Sequence, residues 1–97
     1  MNNAQVYYTQ IDLSKQKSVS SRKLKDLITS TIKWKLALME EASTTIIIDL
    51  YYDGANELLL FGTYHLGLYT MDEYYYIYNK IEQATNKRIE EKNRGIA

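Results

Sequence analysis

The chain has 97 residues, is 45% hydrophobic and 25% charged, and balances 12 Lys and Arg against 12 Asp and Glu. This composition suits one small soluble domain with its own core and is too apolar for a disordered chain. The absence of cysteine excludes a disulfide framework, a thiolate zinc site and a cysteine nucleophile, and the longest apolar run, Leu58 to Phe61, falls far short of a membrane span.

Residues 5–13 are rich in β-branched and aromatic types and read as a first strand. The polar run from Ser14 to Ser21 reads as a loop, with Ser20 or Ser21 placed to cap the helix after it. Over residues 21–41 the apolar residues Leu24, Leu27, Ile28, Ile32, Leu36 and Met39 recur with helical spacing, and Trp34 and Leu38 widen the buried arc on one flank. Glu40 and Glu41 stand where the helix dipole disfavours anions, so either the helix ends before them or they serve an outside partner.

Residues 44–61 read as a β-hairpin. Thr44 to Tyr52 has strand propensity throughout, Asp53-Gly54-Ala55-Asn56 supplies a tight turn, and Glu57 to Phe61 returns as the partner strand. A two- or four-residue loop sets Ile46, Ile48 and Leu50 on one face with Leu59 and Phe61. A three-residue loop sets them with Leu58 and Leu60 instead. Gly62 and Gly67 mark either a bulge in a strand extended to Tyr69 or a break into a fourth strand.

Residues 71–93 read as the last helix. Thr70-Met71-Asp72-Glu73 is a capping box, and Tyr74, Ile77, Tyr78, Ile81, Thr85 and Ile89 form one stripe. Acids open this helix, Lys87, Arg88, Lys92 and Arg94 close it, and Gly95 comes next, in line with the helix dipole. The expected architecture is therefore an α+β fold of two layers, β-α-β-β-α in order. A three- or four-stranded, mainly antiparallel sheet carries both helices on one face, which is the ferredoxin-like order without its last strand.

The chemistry available is narrowed by subtraction. His65 is the only histidine and has no serine in a sharp turn nearby, so a Ser-His-Asp relay and a two-histidine metal site are both out of reach. No phosphate-binding glycine loop is present. Asp49, Asp53 and Glu57, with Asp72 and Glu73 further on, offer oxygen ligands for a hard cation but match no calcium loop. Solubilising a hairpin and capping a helix account for them. No catalytic residue, metal or cofactor is expected.

Charge segregation is the informative signal. Residues 1–39 carry a net +5, residues 40–73 a net −7 with no basic side chain, and residues 74–97 a net +2. The acidic block suggests a negative surface at the hairpin, built from Asp49, Asp53 and Glu57 with the tyrosines Tyr51 and Tyr76, that docks on a basic protein partner. Tyr76 points about 160° away from the buried stripe of its helix. The basic block suggests the alternative of nucleic-acid binding, by Lys15, Lys17, Arg22, Lys23, Lys25, Lys33 and Lys35 with Trp34 for stacking on a base.

A third alternative is a structural or regulatory homodimer, because the second sheet face, with Ile47 and Tyr51, is too apolar for water alone. Abundant Ile, Lys, Tyr and Asn without proline is what an A/T-rich genome encodes, such as that of a low-GC bacterium, its phages or an archaeal virus. Taken together, the expectation is a non-enzymatic binding protein of a phage, virus or other mobile element. It would inhibit a host protein that handles nucleic acid, with an anti-CRISPR or anti-restriction role as a guess within that class. The opening residues Met1 to Gln5 lack the features of a signal peptide, so a cytoplasmic location is expected, that of the host if the source is viral.

Overall fold

The computed structural model describes the backbone of residues 13–95 and the side chains of residues 21–95. Three α-helices account for these residues: α1 (Leu13–Met39), α2 (Thr45–Leu60) and α3 (Met71–Asn93). A π-helical turn, Phe61–His65, extends α2. The described residues form a three-helix bundle with no strand and no sheet, which overturns the expected α+β architecture. Of the first expected strand, residues 5–12 lie outside the described residues, and Leu13 is the first residue of α1.

The helix expected over residues 21–41 begins earlier and stops sooner. The serine-rich run from Ser14 to Ser21 is helical rather than a loop, and Glu40 and Glu41 lie outside the helix, in the turn directly after Met39. Ile28, Ile32 and Met39 are buried and Leu24 and Leu36 half-buried, as their spacing requires. Leu27 and Trp34 are largely exposed instead.

The largest correction falls on residues 44–61, which form a helix and not a hairpin. Ile48, Tyr52, Ala55 and Leu59 recur at four, three and four residues, the helical interval, and Ile48, Ala55 and Leu59 are fully buried. Thr44 caps this helix, its hydroxyl accepting a hydrogen bond from the Ile47 N–H at 3.2 Å. Gly54 stays helical, so Asp53-Gly54 makes no turn. Strand propensities are worth at most about 1 kcal/mol and depend on a pleated surface to pack against. Here the buried stripe decides, and among the described residues there is no sheet for Ile47 and Tyr51 to expose.

The sequence reading of α3 matches its bounds and its cap. Thr70 accepts from the Glu73 N–H at 3.1 Å while Glu73 accepts from the Thr70 N–H at 2.9 Å. The main core gathers Ile28 and Ile32 of α1, Ala55 and Leu59 of α2, Tyr69 of the loop before α3 and Ile81 of α3. A second cluster, Met39, Ala42 and Ile48, closes the end of the bundle where α1 turns into α2. Arg88 of α3 is only 5% exposed and donates through Nη2 to the Ala42 carbonyl at 2.8 Å, which ties α3 to that turn.

Candidate interaction surface

The three acids named from the sequence come together in a way a hairpin does not provide. Asp49, Asp53 and Glu57 are spaced four residues apart on α2, so they run as one ridge that turns by only about 80° from first to last. All three are exposed, and none takes part in an ion pair among the described residues. No Lys or Arg occurs between Lys35 and Lys80 in the chain, so α2 carries no cation of its own. Beside the ridge stand Ile46, 72% exposed, and Leu50, 64% exposed.

Tyr51 and Tyr76 do not join this ridge. Tyr51 is half-buried against the second core cluster. Tyr76 is exposed, as its wheel position required, but it lines a separate cleft between α1 and α3, with Lys80 over its ring at 5.4 Å. That cleft, about 630 Å³, is lined mainly by Lys25, Thr29, Lys33, Tyr69, Glu73 and Ile77 with Tyr76. Across it Lys25 bonds Glu73 at 2.7 Å, and the Tyr69 hydroxyl meets that of Thr29 at 2.5 Å. The Lys25 ammonium and the Thr70 N–H hold the Glu73 carboxyl below its ordinary range.

The basic residues named from the sequence surround α1 and do not share one face. On a helical wheel Arg22 and Lys33 lie on the flank towards α3 and Lys23 on the opposite flank. Lys25 is engaged with Glu73, and Lys35 is half-buried with its side chain lying over Gly54. Lys15 and Lys17 belong to the first turns of α1, and their side chains lie outside the described residues. Trp34, placed in the buried arc by the sequence reading, is 60% exposed and stands with Leu27 on the flank away from α3. Their spacing of seven residues makes that shared flank legible once the helix phase is known.

His65 is exposed and stacks on Phe61, their ring centroids 5.3 Å apart. Among the described residues no three carboxylate or imidazole groups gather as ligands for a metal, and no helix is long and apolar enough to cross a membrane.

Tyr52 and Glu82 link α2 to α3. The phenol donates to the carboxylate, which pushes the Tyr52 pKa from 10.0 up to about 12, with burial acting in the same direction. The charge of Glu82 also raises the neighbouring Tyr78 phenol. Glu82 holds the protonated phenol, so this contribution to stability is complete below about pH 10 and is lost as pH climbs through about 12. Urea midpoints at pH 9 and pH 11 should therefore differ less in Tyr52→Phe than in the wild type. Equal pH dependence in the two proteins would show that the link contributes nothing.

Neither a family model, nor a curated protein, nor a solved structure matches the chain.

Proposed function

We propose that the protein is a non-catalytic binding module that docks on a basic protein surface through the exposed face of α2. The ridge of Asp49, Asp53 and Glu57 carries this reading, three carboxylates in line on a helix with no cation of its own and, among the described residues, in no ion pair. Like charges four residues apart on a helix repel by about 0.2–0.5 kcal/mol per pair. A cationic partner along the ridge relieves this repulsion. The flanking Ile46 and Leu50 add apolar surface that water solvates poorly.

The test is capture on the immobilised protein at low and high salt, comparing the wild type with the triple variant Asp49→Lys, Asp53→Lys, Glu57→Lys. The wild type should retain a partner that salt releases, because exposed charges are screened within about 10 Å at 0.1 M. The reversed ridge should lose that partner while its helical circular dichroism is unchanged. Arg22→Glu with Lys33→Glu, on the flank of α1 towards α3, should keep it. A reversed ridge that captures the same partner would end the reading.

A further inference from the structure

We infer that the partner is held through arginine side chains on the outer flank shared by α2 and α3, one guanidinium stacking on Tyr64 and Tyr75 and a second pairing with Asp53 and Glu82. This inference rests on the protein-binding reading above and adds the side chain that is recognised and the second helix of its site.

A chain of contacts sets one flank of α3 against one flank of α2. On α3, Tyr74, Tyr78 and Glu82 recur every four residues and form one stripe. The Tyr74 and Tyr78 rings stack with centroids 6.0 Å apart, and Glu82 accepts a hydrogen bond from the Tyr52 hydroxyl of α2. At the far end of α2 the Tyr64 ring of the π turn meets Tyr74 edge-on at 5.9 Å, and Tyr75 meets Tyr74 at 5.2 Å. Tyr74 and Tyr78 are half-buried and form the floor, whereas Tyr64 is 62% and Tyr75 56% exposed. Asp49 and Asp53 follow Tyr52 by about 60° and 100° on the outward side of α2, and both are exposed.

The charges on this flank are acids, and the cations of the bundle point elsewhere. Lys80 of α3 lies over Tyr76 on the flank towards α1, and Lys87 follows it by seven residues on that same flank. Arg88 is buried against the Ala42 carbonyl. Lys92 stands in the last turn of α3, about 25 Å along the axis from Tyr75. Lys35 of α1 reaches α2 at Gly54, which faces away from Tyr52. Among the described residues neither Asp53 nor Glu82 takes part in an ion pair.

The aromatic end of the flank calls for a cation for its own reason. Two other tyrosines of the bundle already carry one, with the Lys25 ammonium 5.5 Å from the Tyr69 ring centroid and the Lys80 ammonium 5.4 Å from that of Tyr76. Among the described residues no Lys or Arg lies over Tyr64 or Tyr75, so the electron-rich faces of these exposed rings are left to a cation from outside. Carboxylates and open tyrosine rings on one flank thus ask for the same charge.

Arginine suits both halves of this surface better than lysine does. A guanidinium is planar and weakly hydrated, so it lies flat on an aromatic ring and still donates from its edge to a carboxylate. An ammonium is a strongly hydrated point charge that gives up more on leaving water for a cluster of rings. Tyr75 and Glu82 are about 10 Å apart along α3, so two arginines of one short segment reach both.

The experiment follows the fluorescence anisotropy of two labelled peptides on the whole protein, one alternating arginine with glycine and the other lysine with glycine, equal in length and charge. The arginine peptide should bind at least about tenfold more tightly. Tyr64→Leu with Tyr75→Leu keeps the apolar area but removes both ring faces, so it should abolish that preference and leave binding of the lysine peptide as it was, with circular dichroism unchanged. If the double variant loses helical signal, Tyr75→Leu alone carries the same test. The reversed ridge, Asp49→Lys, Asp53→Lys, Glu57→Lys, should weaken both peptides about tenfold or more. Equal binding of the two peptides, no binding of the arginine peptide, or a preference that survives loss of the rings would overturn the inference. If the peptides bind alike and the reversed ridge loses both, the arginine site fails and the acidic-ridge reading stands. If the reversed ridge keeps both peptides and its captured partner, that reading itself has failed.

Discussion

Arg88→Ala should lower the unfolding free energy by about 2–4 kcal/mol, and Arg88→Met by about 1 kcal/mol or less. Arg88 is nearly inaccessible, yet its guanidinium is poorly matched. Nη2 donates to the Ala42 carbonyl, Nη1 stands 3.7 Å from the Glu91 carboxylate, and Nε has no partner. Truncation to alanine removes the packed stem, leaves a cavity and strands a buried carbonyl, which alone costs about 1–3 kcal/mol. Methionine keeps most of the volume and removes the orphaned N–H and the desolvated charge, which offset the lost hydrogen bond. Urea unfolding of the two variants separates these contributions through their midpoints. If Arg88→Met is as damaging as Arg88→Ala, the bond to Ala42 is the part that matters, and packing of the stem is secondary.

Gly62→Ala and Gly54→Ala should move stability in opposite directions, although both glycines sit on the α2 rod and neither has a positive φ. At Gly62 a new Cβ would lie 2.9 Å from Cε2 of Tyr69. That ring cannot move aside easily, because it is buried and its hydroxyl is held by Thr29. The overpacked variant should lose about 1–3 kcal/mol. At Gly54 the nearest atoms belong to the end of the Lys35 side chain, which can swing into solvent. There alanine should add about 0.5–1 kcal/mol, the ordinary gain of replacing glycine within a helix. Thermal unfolding of both variants gives the signs directly, and destabilisation by both would mean that the Lys35 stem packs on Gly54 as firmly as Tyr69 does on Gly62.

The parts of the fold that were legible in the sequence are those where local and tertiary preferences agree. In α3 the capping box, the apolar stripe and the order of charges all indicate the same helix, and its bounds agree with them. In α2 they conflict. Thr44, Thr45 and the run Ile46-Ile47-Ile48 favour a strand locally, and Asp53-Gly54 resembles a hairpin turn, whereas Ile48, Tyr52, Ala55 and Leu59 keep helical time. Burial of that stripe outweighs the local preference, and the expected sheet disappears with it. The start of α1 was hidden because Ser14, Ser18, Ser20 and Ser21 favour caps and loops.

The candidate site was legible in composition but not in shape. Asp49, Asp53 and Glu57 stand out as acids in a stretch without cations, yet only a helix turns their spacing of four into a ridge. Trp34 was misplaced because one apolar residue at the edge of a stripe can fall on either side of the buried arc. Arg88 gave no signal, since a cation near a helix C-terminus already has a sufficient explanation in the dipole.

The π turn at the end of α2 acts as a phase adjuster. Its wide bond, from the Leu66 N–H to the Phe61 carbonyl at 3.1 Å, accommodates one residue more than an α-turn holds. One residue corresponds to about 100° of rotation, so the chain leaving α2 departs in a direction that an uninterrupted α-helix would not give it. That departure brings Tyr69 back over Gly62 and across to Thr29. Shortening the loop by a single residue within 61–65 would therefore reset the angle at which α3 is launched, so chain length here is constrained more tightly than residue identity at the exposed Tyr64 and His65.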